Sequence, residues 1–223
     1  MLLLDLDGDI GTLAAQIPSA ACVLVEHGVD FCCSGRRSMV SALKEHHLDA
    51  TKIREEIMRF PENTMPLEPR DDSPEQTISF IVERYLRPLG RRLSAIDALL
   101  HKIVTFHGED QSRGYRRLKR AFTGLSTRLW ENAREKEQLL YPAMLSSDLR
   151  SRKAACRALK RTNKITAEHL REFDTMKATL SFKDGRCASV RALDTSLTTL
   201  ADETREAMRL ENRLCEIYRS DAT

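Results

Sequence analysis

Cys32 and Cys33 stand side by side in the chain. Thiolates that chelate one metal are usually separated by roughly two to four residues, so this pair suggests thiol chemistry rather than a metal clip. A helix start is expected near Ser38, just beyond Arg36 and Arg37. A helix N-terminus and nearby guanidinium charge both favour thiolate, which would make one thiol reactive near neutral pH. The residues leave a second reading equally open, a buried pair packed in a tight turn, because free cysteine is among the most buried residue types. Cys22, Cys156, Cys187 and Cys215 carry no motif and read as core or surface thiols.

His101, His107 and His169 are the other residues with ligand chemistry in the long C-terminal region. Helical bundles that bind metal place two ligands about one turn apart on a helix. None of these histidines has a glutamate three residues before it, and none has a histidine or glutamate four residues away. Asp97, Asp110 and Glu172 are the nearest approaches. Spacing alone therefore gives no paired ligand set, and hydrogen-bonded or surface histidines are the ordinary reading.

The elements that must position these residues are helical throughout. Ile10, Leu13, Ala14 and Ile17 make one apolar stripe, which Val23, Leu24 and His27 continue beyond Pro18 before Gly28 stops it. Met39, Leu43 and His46 make a second stripe, and Ile53, Ile57 and Met58 a third. Residues 1–60 thus form a compact helical unit. Pro61, Pro66, Pro69 and Pro74 mark residues 61–74 as an extended linker. Residues 75–223 hold four long periodic segments, at about 75–107, 113–147, 150–182 and 188–219. Ser73, Pro74 and Gln76 read as a capping box at the start, and Pro88 should kink the first segment. Short connections favour an antiparallel four-helix bundle. The fold class is all-α: a small helical N-terminal domain followed by an antiparallel four-helix bundle.

Composition narrows the function. The chain has 223 residues, with 41% hydrophobic, 31% charged and a net charge of +3. Interleaved charges argue against nucleic acid as the main partner. The run Tyr115-Arg116-Arg117-Leu118-Lys119-Arg120 reads as a solvated helix face. Gly35-Arg36-Arg37-Ser38 lacks the remaining glycines of a phosphate loop. No apolar run reaches the roughly 20 residues that span a bilayer, so no membrane role is expected. The opening Met1-Leu2-Leu3-Leu4-Asp5 is too short and acidic for a signal peptide. Six cysteines without secretory signals suggest a reducing, cytoplasmic location.

The run His27-Gly28-Val29-Asp30-Phe31-Cys32-Cys33-Ser34-Gly35, preceded by Ile17-Pro18, resembles the signature of the ScdA-type N-terminal domain. The remainder resembles the hemerythrin-like bundle of the repair-of-iron-centres family. The matching stretches are Ile81 to Tyr85, Lys102 to His107, Glu137 to Pro142, Ala167 to His169 and Leu210 to Asn212. The resemblance implies a di-iron protein that restores iron–sulfur clusters after nitric oxide or oxidative damage. Its ligand set comprises five histidines and two bridging glutamates.

Most of those positions are changed here. Leu86 follows Tyr85 where the first histidine belongs. The second-helix pair falls on Asn132 and Lys136, and the fourth-helix pair on Ala207 and Glu211. His107, His169 and Glu211 alone survive of seven. Lys136 places a cation where a carboxylate should bridge two irons, yet it could pair with Glu211 in their absence. The expectation is a metal-free pseudo-site with no resident cofactor, or at most one weakly held iron on His107, His169 and Glu211. Cys32 and Cys33 are the candidate redox residues. The expected role is a divergent member of the iron–sulfur cluster repair family in nitrosative or oxidative stress. The alternatives are a non-enzymatic scaffold or regulatory partner of a metal-competent relative, and a thiol redox sensor through Cys32/Cys33. A homo- or hetero-oligomer is expected, with iron–sulfur proteins as partners. The residues do not decide whether the chain is an enzyme.

Overall fold

Side-chain caps set most helix starts. Asp9 accepts from the Thr12 N–H at 2.7 Å to open α1 (Ile10–Gln16). Pro18 occupies the first turn of α2 (Pro18–Glu26), where its missing N–H costs nothing. Gly28, at φ +67°, ends that helix as its sequence position suggests. Ser38 caps α3 (Met39–Glu45) and Asp49 caps α4 (Ala50–Met58). The computed structural model describes residues 7–32, 37–71, 73–106, 109–180 and 187–220, without the side chains of 109–112 and 219–220. Cys33 and His107 lie outside the described residues. Among the described residues there is no strand, only an isolated bridge between Asp9 and Ser38.

The stretch read as an extended linker begins with one helical turn, α5 (Pro61–Thr64). The buried Arg84 guanidinium donates to the Pro61 and Met65 carbonyls at 3.1 and 3.3 Å, which ties this turn to the bundle. Ser73 then caps α6 (Pro74–Ile81) through the Gln76 N–H at 3.3 Å. The Ser73 N–H goes to Asp71 at 2.9 Å, so Asp71 supplies the half of the capping box expected from Gln76.

Two prolines shape the bundle. α6 runs into a π turn (Val82–Leu86) before α7 (Leu89–Phe106), and α8 (Glu109–Glu135) runs into a second π turn (Lys136–Leu140) before α9 (Tyr141–Met144). Each π turn ends just ahead of Pro88 or Pro142. A helical proline lacks a donor and crowds the carbonyl four residues back. Widening to an i→i+5 bond, Arg87 N–H to Val82 and Tyr141 N–H to Lys136, accommodates the ring. The long helices α10 (Leu149–Ala178) and α11 (Ala188–Ser220) complete the bundle. No helix among the described residues is long and apolar enough to cross a membrane.

Among the described residues there are two apolar cores. One joins the N-terminal helices (Leu24, Met39, Leu43, Ile57) to Leu99, Phe122, Phe173 and Leu197 of the bundle. The other holds Ile81, Tyr141, Leu159 and Leu210. The N-terminal helices dock as α1 on α11 and α2 on α7. Arg91 of α7 grips Glu26 of α2 at 2.9 Å and covers the Phe60 ring. Arg92, also buried, bonds Glu62 of α5 at 2.6 Å and pairs with Glu203 of α11. Burial pushes the Glu203 carboxyl up, against the opposing pull of Arg92.

Candidate functional site

The two cores meet at a polar layer. On each long helix the apolar side chains change from one core to the other around the same level: near Leu86, between Ala133 and Leu140, between Leu159 and Leu170, and near Ala207 and Met208. The buried polar residues Asn132, Lys136, Asn163, Thr166 and Glu211 occupy those changeovers. This is the level at which the resembling family's ligands would converge.

The layer is built around Glu211, which is 0% exposed. Lys136 Nζ lies 3.0 Å from each of its carboxylate oxygens. The Tyr141 hydroxyl donates to Oε1 at 2.5 Å. Burial, reinforced by the Glu211 charge and this hydrogen bond, holds the Tyr141 phenol well above its ordinary range, so it remains a donor. The π turn starting at Lys136 sets the register that brings both side chains to Glu211. Beside them the Asn132 amide donates to Thr166 Oγ1 at 2.9 Å, and Thr166 donates to the Thr162 carbonyl. A cavity of about 40 Å³ borders Asn132, Lys136, Thr166 and Glu203. Asn163 carries both amide atoms buried without a hydrogen-bond partner.

This donor set does not fit a di-iron centre. Two iron ions need several carboxylates and neutral imidazoles. The layer offers the Glu211 carboxylate, already bound by an ammonium and a phenol, and Glu203 at the cavity edge, already paired with Arg92, together with amides, a threonine hydroxyl and the aliphatic Leu86 and Ala207. No three His, Cys, Asp or Glu among the described residues group closely enough to hold a metal. Glu211 lies in the layer, paired with Lys136. His169 is placed differently. It lies one turn beyond Thr166 on α10, half-buried, with Nδ1 2.9 Å from the Ile165 carbonyl, and it does not border the cavity. Thr166 and Asn163 take the third-helix places.

Two of the thiols meet at a second place, the seam between α1, α11 and the turn that carries Cys32. Cys32 Sγ lies 2.7 Å from Cys187 Sγ, across 155 positions of sequence. Cys187 immediately precedes α11. The backbone of Cys32 is fixed from two directions: its N–H donates to Asp30 Oδ1 at 2.7 Å, and Lys102 of α7 binds the same oxygen at 2.6 Å. Gly11 makes the approach possible, since a Cβ there would stand 2.9 Å from Ala188 Cβ and 3.0 Å from the Phe31 carbonyl oxygen. The hydrogen bond with Cys32, and then burial, raise the Cys187 thiol above its ordinary range. Nothing in the sequence pointed to Cys187, because no local motif surrounds it.

This turn lies in the part of the chain that matches a known family. Residues 6–60 match ScdA_N, described as a domain of unknown function (DUF542). The similarity extends past the ScdA_N domain into the bundle. Over 208 residues the chain is 23% identical to the iron-sulfur cluster repair protein YtfE of Yersinia pseudotuberculosis serotype IB (strain PB1/+), spanning 92% of this chain and 93% of that protein. The same figures describe the iron-sulfur cluster repair protein YtfE of Yersinia pestis (strain Pestoides F). The alignment thus runs through both the ScdA_N match and the helical bundle.

Proposed function

We propose that this chain serves iron–sulfur cluster repair in nitrosative or oxidative stress without a resident di-iron centre, and that its chemistry belongs to the thiol turn of the ScdA_N domain. The observation that carries this reading is the Lys136 ammonium held 3.0 Å from both oxygens of the buried Glu211. An ammonium there repels a metal cation, and its removal would leave Glu211 an unpaired buried charge. The polar layer then has a structural task, which is to satisfy one buried carboxylate. Two facing, half-buried sulfurs, Cys32 and Cys187, lie away from that layer. Similarity to the repair proteins over nearly the whole chain supports the biological setting. Damaged iron–sulfur proteins are the partner class in this reading, and the cytoplasm is the compartment.

Reactivation of an oxidatively damaged iron–sulfur enzyme tests the proposal. Purified wild-type protein should restore activity above the buffer control, and Cys32→Ser should lose most of that gain. Equal reactivation by wild type and Cys32→Ser, or none by either, would reject the reading.

A further inference from the structure

We propose that Cys32 and Cys187 are a thiol–disulfide exchange pair that takes a low-molecular-weight disulfide as substrate and closes into a bond across the seam between the ScdA_N domain and α11. This rests on the reading above in giving Cys32 the chemistry, and it names the second sulfur. The geometry favours a bond over a shared metal. Two thiolates on one tetrahedral zinc stand about 3.8 Å apart, given zinc–sulfur distances near 2.3 Å. The observed separation of 2.7 Å is much closer to a covalent pair. No third ligand of the His, Cys, Asp or Glu type joins these two sulfurs among the described residues. Both cysteines are half-buried, which suits access by a small disulfide.

The two sulfurs have distinct roles. Cys32 is the attacking sulfur, on a turn whose N–H is held by Asp30, itself bound to Lys102; the contact with Cys32 and burial both oppose ionisation of Cys187. Its thiolate attacks one sulfur of the small disulfide, forming a mixed disulfide and releasing one thiolate, which takes up a proton. Cys187 then loses its proton to solvent and attacks the Cys32 sulfur, releasing the second small thiol. Two protein thiols are oxidised and one small disulfide is reduced to two thiols. When Cys187 ionises, the backbone N–H groups of Ser189 and Val190 hydrogen-bond its sulfur and favour the thiolate. The product bond fastens the Cys32 turn to the start of α11, where Gly11 already lets the elements touch.

The test uses the full chain, reduced and then exposed to oxidised glutathione, followed by digestion and mass spectrometry without reductant. The expected product joins the tryptic peptide 187–191 to the peptide carrying Cys32, with the loss of two hydrogens. Cys33→Ser should retain that cross-link. Cys187→Ser should abolish it and leave glutathione trapped on Cys32. A dominant Cys32–Cys33 bond, or no Cys32–Cys187 bond in wild-type protein, overturns the proposal, and neither result depends on how the variants fold. Failure here would leave the reactivation result for Cys32→Ser standing, so the two readings fall separately.

Discussion

The polar layer and the thiol seam both bring chemistry-bearing residues together from distant parts of the chain, but they do so to opposite ends. In the layer the buried charge is consumed: Glu211 accepts from Lys136 and Tyr141, while beside them Asn132 donates to Thr166. In the seam two sulfurs face each other with no ion pair between them, at a place that is only half-buried. A buried charge must be compensated, so the layer reads as a fold requirement. A pair of accessible thiols can change state without unfolding anything, so the seam reads as the reactive place. Similar bundle architecture therefore need not mean that the bundle interior does the work.

The largest effect should come from breaking the layer. Lys136→Met leaves Glu211 buried without its cation and should cost about 3–5 kcal/mol in urea unfolding. Adding Glu211→Leu and Tyr141→Phe should recover most of that loss, since an apolar replacement of a buried pair is often neutral or stabilising. A triple variant no more stable than Lys136→Met would mean that the layer is held by something besides charge compensation.

The seam should respond to crowding instead. Gly11→Val drives a side chain into Ala188 and the Phe31 carbonyl. Overpacking of this kind should cost about 1–3 kcal/mol, and the Cys32–Cys187 cross-link should form more slowly while the layer is untouched. Unchanged cross-linking in a folded Gly11→Val protein would separate the thiol contact from the α1–α11 approach.

Asn163 allows a gentler probe of the layer. Its amide is buried with neither atom hydrogen-bonded, so Asn163→Leu should raise stability by about 1 kcal/mol, read as a higher urea midpoint. A marked loss would show that the amide has a polar task in the layer.

The smallest effect is at the surface. Hydrogen bonds from the Ser151 hydroxyl, then from the Ser151 and Arg150 N–H groups, hold the Asp148 carboxyl below its ordinary range at the start of α10. A depressed carboxyl stabilises the fold above the unfolded value of about 3.9 and loses that contribution as pH falls through the folded value. Asp148→Ala should therefore melt slightly below wild type at neutral pH, and the gap should close under acid conditions. A constant gap across that window would remove charge from the explanation of this cap.

Much of the fold is readable because its signals are local. Ser38, Ser73 and Gly28 act within one turn of their own positions, and Pro88 disturbs its own helix. The Lys136–Glu211 pair was also within reach, because a cation had replaced a carboxylate at Lys136 while the position it would share a metal with kept its glutamate, Glu211. What escaped is non-local or geometric. Cys187 meets Cys32 only through the packing of α1 on α11. The resemblance gave the third-helix place to His169, whereas Asn163 and Thr166 are the buried polar residues of α10. The second π turn is set by Pro142, whose signal resembles an ordinary helix end.

Iron content tests the central claim most directly. Protein purified from iron-supplemented cells and measured by elemental analysis should carry well under one iron per chain, with Lys136→Glu no more than a weak binder. About two tightly held irons per chain, the complement of a di-iron bundle, would contradict it, because Glu211 cannot bridge two cations while Lys136 occupies both its oxygens.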